Sequence, residues 1–220
     1  MTPDPDGATL DELREQLAPE IAANAAFDGW SPEALDLAAD ALAIDHDVAR
    51  LAFPGGAPDM IDAWFAHVDV AMLAAHPADA LGNMKIRDRI AVLVEARLDA
   101  MAPDRESLRR ALAILALPTN LLRAARLGWR TVDRLWRAAG DTATDWNHYT
   151  KRGLLLGVYG TTTAVFLDDE SEGLADTRAF LARRIGEVMR FEKAKAGFLQ
   201  RTQNLPSLSR FVGRLRYPVV

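Results

Sequence analysis

Apolar side chains recur along most of the chain at intervals of three and four, and β-branched runs are scarce, so the spacing predicts helices rather than strands. Leu10, Leu13 and Leu17 open a first helix that Pro19 is expected to interrupt or kink. Ile21, Ala25 and Ala26 carry its pattern on to Phe27, where Asp28-Gly29 stops it. Ser31 as N-cap, Pro32 at the first helical position and Glu33 behind it start a short helix reaching Leu42. Asp45 caps the next, which ends at Phe53 before Pro54-Gly55-Gly56. Longer amphipathic stretches follow over 58–75, 85–101, 106–117 (ended by Pro118), 121–139 (ended by Gly140), 145–167 and 174 to about 199, with a last amphipathic piece over 207–217. The expected fold is all-α, with a head over 1–56, a helical body over 57–200 and a C-terminal amphipathic helix over 201–220.

With 220 residues, 50% of them hydrophobic, the chain can bury a sizeable core. The absence of cysteine excludes a disulfide framework, a thiolate zinc site and a cysteine nucleophile. Met1 to Gly7 is acidic and carries Pro3 and Pro5, unlike a signal peptide or an Arg-rich transit peptide, and no window approaches the roughly 18–20 apolar residues of a spanning helix. A soluble, cytoplasmic protein is expected. The net charge of -5 is unevenly placed: the head has no Lys or Arg besides Arg14 and Arg50, whereas Arg178 to Arg216 is strongly basic.

Catalytic templates are missing. The histidines at 46, 67, 76 and 148 form no H-E-x-x-H or E-x-x-H pair, and neither a P-loop nor a G-x-S-x-G is present. No catalytic residue, metal or cofactor is expected, and the protein is read as a non-enzyme. Asp168-Asp169-Glu170 with Glu172 reads as a solvated turn rather than a weak cation site.

The run Phe27-Asp28-Gly29-Trp30-Ser31, then Ala38-Ala39, Leu42, Asp45 and Leu51 to Phe53, resembles the helix-turn-helix head of the TetR family. Its recognition helix would be Asp45-His46-Asp47-Val48-Ala49-Arg50-Leu51-Ala52-Phe53, with two carboxylates where base and phosphate readers need positive or amide side chains. A vestigial head on a TetR-like bundle, with no nucleic-acid partner, is the expectation. The alternative is a TetR-type ligand-responsive transcriptional regulator.

A more specific stretch runs Trp136-Arg137-Ala138-Ala139-Gly140-Asp141-Thr142-Ala143-Thr144-Asp145-Trp146-Asn147-His148-Tyr149-Thr150-Lys151-Arg152, followed by Leu154, Tyr159, Thr161, Thr162 and Asp168 to Ser171. Together with Phe27 to Trp30 and Leu112 to Asn120 it resembles the accessory, lipid-binding proteins of ubiquinone (coenzyme Q) biosynthesis, partners of the di-iron hydroxylase that acts on demethoxyubiquinone. The resemblance implies a protein that binds an isoprenoid quinone or a phospholipid and presents a quinone intermediate to that hydroxylase. It also implies a homodimer, peripheral on the inner face of a bacterial cytoplasmic membrane. Asp145, Trp146, Asn147, His148 and Tyr149 become the partner-binding residues, polar groups interleaved with aromatics as at docking surfaces. The family usually has Trp where His148 stands, and Trp146 occupies a Phe position, so the aromatic weight is shifted along the helix.

Residues 154–167 are apolar nearly all round, with Gly153, Gly157 and Gly160 between. Each helical glycine costs about 1 kcal/mol relative to Ala and is tolerated where another helix, or a lipid tail, approaches the backbone. Leu115, Leu117, Leu122, Leu155, Tyr159, Thr162 and Phe166 are the candidate walls of the lipid cavity. At the C-terminus Leu208, Phe211, Val212 and Leu215 make an apolar stripe flanked by Arg210 and Arg214, which reads as an anchor for an anionic membrane surface. The opposing reading is a helix packed on the protein itself.

Overall fold

The computed structural model describes the backbone of residues 9–141 and 146–203, all of its regular structure helical. Helix α1 (Leu10–Asp28) opens with a reciprocal cap, in which Thr9 accepts from the amide of Glu12 while Glu12 accepts from the amide of Thr9. It does not stop at Pro19. The carbonyl that loses a donor belongs to Glu15, an exposed position where water serves instead, and Leu13, Leu17, Ile21 and Ala25 bury the helix on both sides of the proline. The apolar face ends before Phe27, which is 84% exposed.

Helices α2 (Pro32–Ala41) and α3 (His46–Ala52) follow the expected caps: Ser31 accepts from the amide of Ala34 at 3.2 Å, and Asp45 from Asp47 and Val48 at 2.9 and 3.2 Å. Contacts of Trp30 and Ser107 help fasten this head to the body. The Trp30 indole donates to the Ser107 carbonyl at 2.9 Å and lies 5.4 Å from the Trp64 ring, and the Ser107 hydroxyl donates to the Ala22 carbonyl at 2.6 Å.

The body comprises α4 (Ala57–Ala75), α5 (Ala78–Leu81), α6 (Ile86–Met101), α7 (Arg105–Leu115), α8 (Leu121–Ala138), α9 (Trp146–Asp168) and α10 (Ala175–Gln203). Helix α7 ends short of Leu117, whose extended backbone is what the following proline requires. Gly140, at φ +88°, ends α8, and the Asp141 amide reaches back to the Trp136 carbonyl at 2.9 Å. Helix α8 approaches α9 closely at Gly128, where a Cβ would stand 3.0 Å from Leu156. The close approach therefore uses a glycine of α8. Around Gly153, Gly157 and Gly160 nothing among the described residues lies within 4 Å of an added Cβ, so these glycines face outward rather than a neighbouring helix.

The chain divides into two units, 1–181 and 182–220. In the second, Arg184 pairs with Glu187 at 2.7 Å. Among the described residues no helix is long and apolar enough to cross a membrane. Leu208, Arg210, Phe211, Val212, Arg214 and Leu215 lie outside the described residues.

Candidate docking surface at the α8–α9 elbow

The described residues on either side of the α8–α9 connection fall into an inward and an outward set. Arg152, with a side chain only 2% exposed, donates from Nε to Asp133 of α8 at 2.7 Å and from Nη1 to Asp141 at 3.4 Å and the His148 carbonyl at 3.2 Å. Lys151 reaches Asp141 at 2.8 Å and lies 5.5 Å from the centre of the Trp136 ring, whose indole donates to the Lys151 carbonyl at 3.2 Å. Burial alone would raise the Asp141 pKa, but hydrogen bonds and charge from Lys151 and Arg152 outweigh it and hold the carboxyl below its ordinary value.

Tyr149 points the other way. It is 60% exposed, and its ring stacks on Trp129 of α8 at 6.1 Å and meets His148 edge-on at 5.1 Å. Of the other partner-binding candidates, Asp145 lies outside the described residues, Trp146 and Asn147 begin α9 with only their backbone described, and His148 is half-buried. Arg152, Asp133 and Asp141 were not singled out from sequence as a group. Their only signal is a Lys-Arg pair one turn into a helix that follows a Gly-Asp stop.

The seven lipid-wall candidates separate. Leu115, Leu155, Thr162 and Phe166 are buried in the body, and the Tyr159 hydroxyl is turned to the core, accepting from Arg97 at 3.0 Å. Burial raises the Tyr159 pKa, partly offset by that guanidinium. Leu117 and Leu122 are exposed, Leu122 by 77%: Leu117 lies past the end of α7, before the short turn at 118–120, and Leu122 is the second residue of α8. An open cleft of about 560 Å³ lies elsewhere, between α1, α4 and α8, with Ala66, Val70, Leu73 and Ala138 as its apolar lining and Arg134 beside them.

Of the acidic run at the end of α9, Asp168, Glu170 and Glu172 are exposed to solvent as expected, whereas Asp169 is not. Asp169 is buried and accepts from the amides of Ser171 and Thr177, both at 2.8 Å, and from their hydroxyls, both at 2.5 Å, so it caps the start of α10. Arg105 donates to its carbonyl. Burial would raise its pKa, but these four donors press it far below the ordinary 3.8. A depressed pKa means stability that is present above pH 3.8 and lost as the pH falls toward the folded value. Asp169→Ala is expected to cost about 0.5–2 kcal/mol at neutral pH, and its thermal midpoint should converge on that of the parent chain in acid. A constant difference from pH 7 to pH 3 would contradict this.

On the head, the recognition helix offers no free cation. Arg50 is tied to Asp36 at 2.6 Å and to Asp47 at 3.4 Å, while Leu51 beside it is 65% exposed. His46 meets Asp40 at 2.7 Å, and that hydrogen bond raises its pKa.

A family model described as COQ9 matches residues 121–192. The mitochondrial ubiquinone biosynthesis protein COQ9 of Rattus norvegicus is 44% identical over 44% of this chain and 31% of its own length, and that of Homo sapiens is 42% identical over 44% and 30%. The chain thus aligns with about a third of the length of these relatives. The Drosophila melanogaster protein of the same name is 25% identical over 84% of this chain and 58% of its own. Among solved structures, a TetR transcriptional regulator from Nitrosomonas europaea ATCC 19718 superposes with a TM-score of 0.64 at 28% identity, covering 79% of this chain and 96% of that one. The TetR-like all-α fold is thereby established. The relatives are mitochondrial proteins, which overturns the expectation of a bacterial cytoplasmic protein on the inner face of the cytoplasmic membrane. The cytoplasmic part of that expectation rested on the acidic first residues and the lack of a long apolar window, and the membrane face on the family resemblance and the basic C-terminal stripe, none of which reports an organelle.

Proposed function

Taking residues 121–192 as a COQ9 segment carried on a TetR-like body, we propose that the chain is an accessory protein of ubiquinone biosynthesis with no catalytic site of its own. It binds an isoprenoid quinone or a phospholipid, docks the di-iron hydroxylase that acts on demethoxyubiquinone, and presents a quinone intermediate to it. The observation that carries this reading is the coincidence of the matched segment with the α8–α9 elbow, where Tyr149 stands exposed on Trp129 above a buried ionic network. An exposed aromatic with a fixed base is what a docking hot spot requires, since little side-chain entropy is left to lose on binding.

Two further parts of the reading have their own support. For the lipid, the cleft of about 560 Å³ between α1, α4 and α8 combines apolar Ala66, Val70, Leu73 and Ala138 with a charged rim of Glu15, Arg134 and Arg137, and its volume lies within the usual range for small-molecule sites. For the homodimer, the outer face of α9 presents Gly153, Gly157, Gly160 and Ala164, all exposed, in a stretch without charge from 153 to 167. Glycines that nothing in the chain approaches suit the close packing of a second copy. The Leu208 to Leu215 pattern keeps an anionic membrane surface among the proposed partners.

Native mass spectrometry of the purified full chain, with extraction of any bound lipid, tests the lipid and dimer parts together. The expected result is a dimer carrying a mass in the phospholipid or isoprenoid range that is released by organic solvent. A lipid-free monomer would contradict both.

A further inference from the structure

The elbow motif contains two basic residues, Lys151 and Arg152, next to the outward Tyr149, and on a docking surface bases are the obvious contact groups. Their geometry is the opposite of that. The Arg152 guanidinium is 2% exposed and spends its donors on Asp133, Asp141 and the His148 carbonyl, and the Lys151 ammonium lies between Asp141 and the Trp136 ring. We infer that Asp141, Lys151 and Arg152 form an internal lock that positions Tyr149 for its partner and does not itself touch the partner; this rests on the docking role proposed for Tyr149.

The route from lock to surface is short. The carbonyl that Arg152 holds belongs to His148, the residue before Tyr149 and part of the first turn of α9. The N–H groups of a first turn lack intrahelical acceptors and the turn frays readily, so a tether on one of its carbonyls acts by fixing its position rather than by filling those bonds. Arg152 pins this turn to Asp133, three residues before Trp136 and one helical turn beyond Trp129, the residue on which Tyr149 stacks. Asp141 closes the network from the other side of the elbow, because it is held by both Lys151 and Arg152. With the lock intact, the Tyr149 ring has one seat on Trp129. With it broken, the turn frays and the ring samples orientations that no longer match a partner, although the helices remain packed at Gly128 and Leu156.

The test compares Asp141→Asn, Arg152→Lys and Tyr149→Ala in the full chain. Hydrogen exchange is followed over 148–156 and, as an internal reference, over 86–101, and affinity for the purified hydroxylase is measured alongside. Asp141→Asn should speed exchange over 148–156 by about tenfold or more while the reference segment is unchanged, and should weaken the partner by a similar factor. Arg152→Lys keeps the charge but not the fork that reaches three acceptors, so it should fall between Asp141→Asn and the parent chain. Tyr149→Ala should lose the partner with exchange unaltered. Lost affinity in Asp141→Asn without faster exchange would overturn the inference, because Asp141 would then be a direct contact. Faster exchange with full affinity would overturn it too. If the unaltered chain fails to bind the hydroxylase, the docking role itself has failed and takes the inference with it, a result told apart by the silence of the parent chain.

Discussion

Asp69→Leu is expected to be the most damaging single substitution in the body. Asp69 and Arg97 are each 1% exposed and meet at 2.9 Å, with Arg134 adding a second cation to Asp69 at 2.5 Å. Arg97 also donates to the Thr131 hydroxyl at 3.4 Å and to Tyr159, and lies 5.4 and 5.5 Å from the Phe65 and Tyr159 ring centres. Removing the carboxylate leaves a guanidinium in the core without its counter-charge, a loss of about 3–5 kcal/mol for a broken buried pair. At roughly 2–4 °C per kcal/mol for a chain of this size, the thermal midpoint should fall by about 6–20 °C. Arg97→Met should cost less, because Asp69 keeps Arg134. The double variant should recover much of the loss, since an apolar pair of similar volume needs no counter-charge. A fall of less than about 1 kcal/mol in Asp69→Leu would mean that water reaches Arg97.

The second large effect concerns DNA. A TetR-type regulator binds its operator at about 10⁻⁸ to 10⁻¹¹ M, whereas this chain is expected to bind no more tightly than the roughly 10⁻⁴ to 10⁻⁶ M of nonspecific association. The reason is local. Arg50, the one strongly basic side chain on α3, is committed to Asp36 and Asp47, and Asp47 and Leu51 occupy the outward positions. Bringing phosphate to this face means parting Arg50 from its carboxylates and approaching several others at once, each like-charge approach being unfavourable. A gel shift on the chain's own upstream region at physiological salt measures this, and a complex that survives excess competitor DNA would restore the regulator reading.

The elements legible in the sequence were those with local causes. Ser31, Asp45 and Gly140 each act within four residues of themselves, so their caps and stops appear in the structure as read. Helix α5 was not legible, because four residues show no period. What failed was whatever depends on distant partners. A carboxylate run looks alike whether it faces water or caps a helix, and Asp169 differs from Asp168 only through Ser171, Thr177 and Arg105. The Asp69–Arg97 pair joins positions 28 apart, with no pattern to announce it. At the proposed site, the aromatic and polar interleaving marked the stretch, but the division between inward Arg152 and outward Tyr149 was not legible, since both fall within one stretch of α9. Leu117 and Leu122 failed as cavity walls for the same reason: apolar identity does not say which neighbour is present.

Docking of a hydroxylase of ubiquinone biosynthesis on the exposed side chains beside the α8–α9 connection, as proposed above, is open to direct measurement. Calorimetric titration of the purified demethoxyubiquinone hydroxylase with the full chain and with Tyr149→Ala tests it most directly. The account predicts saturable binding by the full chain and a loss of about 2 kcal/mol or more in Tyr149→Ala, roughly thirtyfold in affinity, with stability unchanged within about 0.5 kcal/mol as for other surface substitutions. Equal affinity for the two chains, or no binding by either, would contradict it.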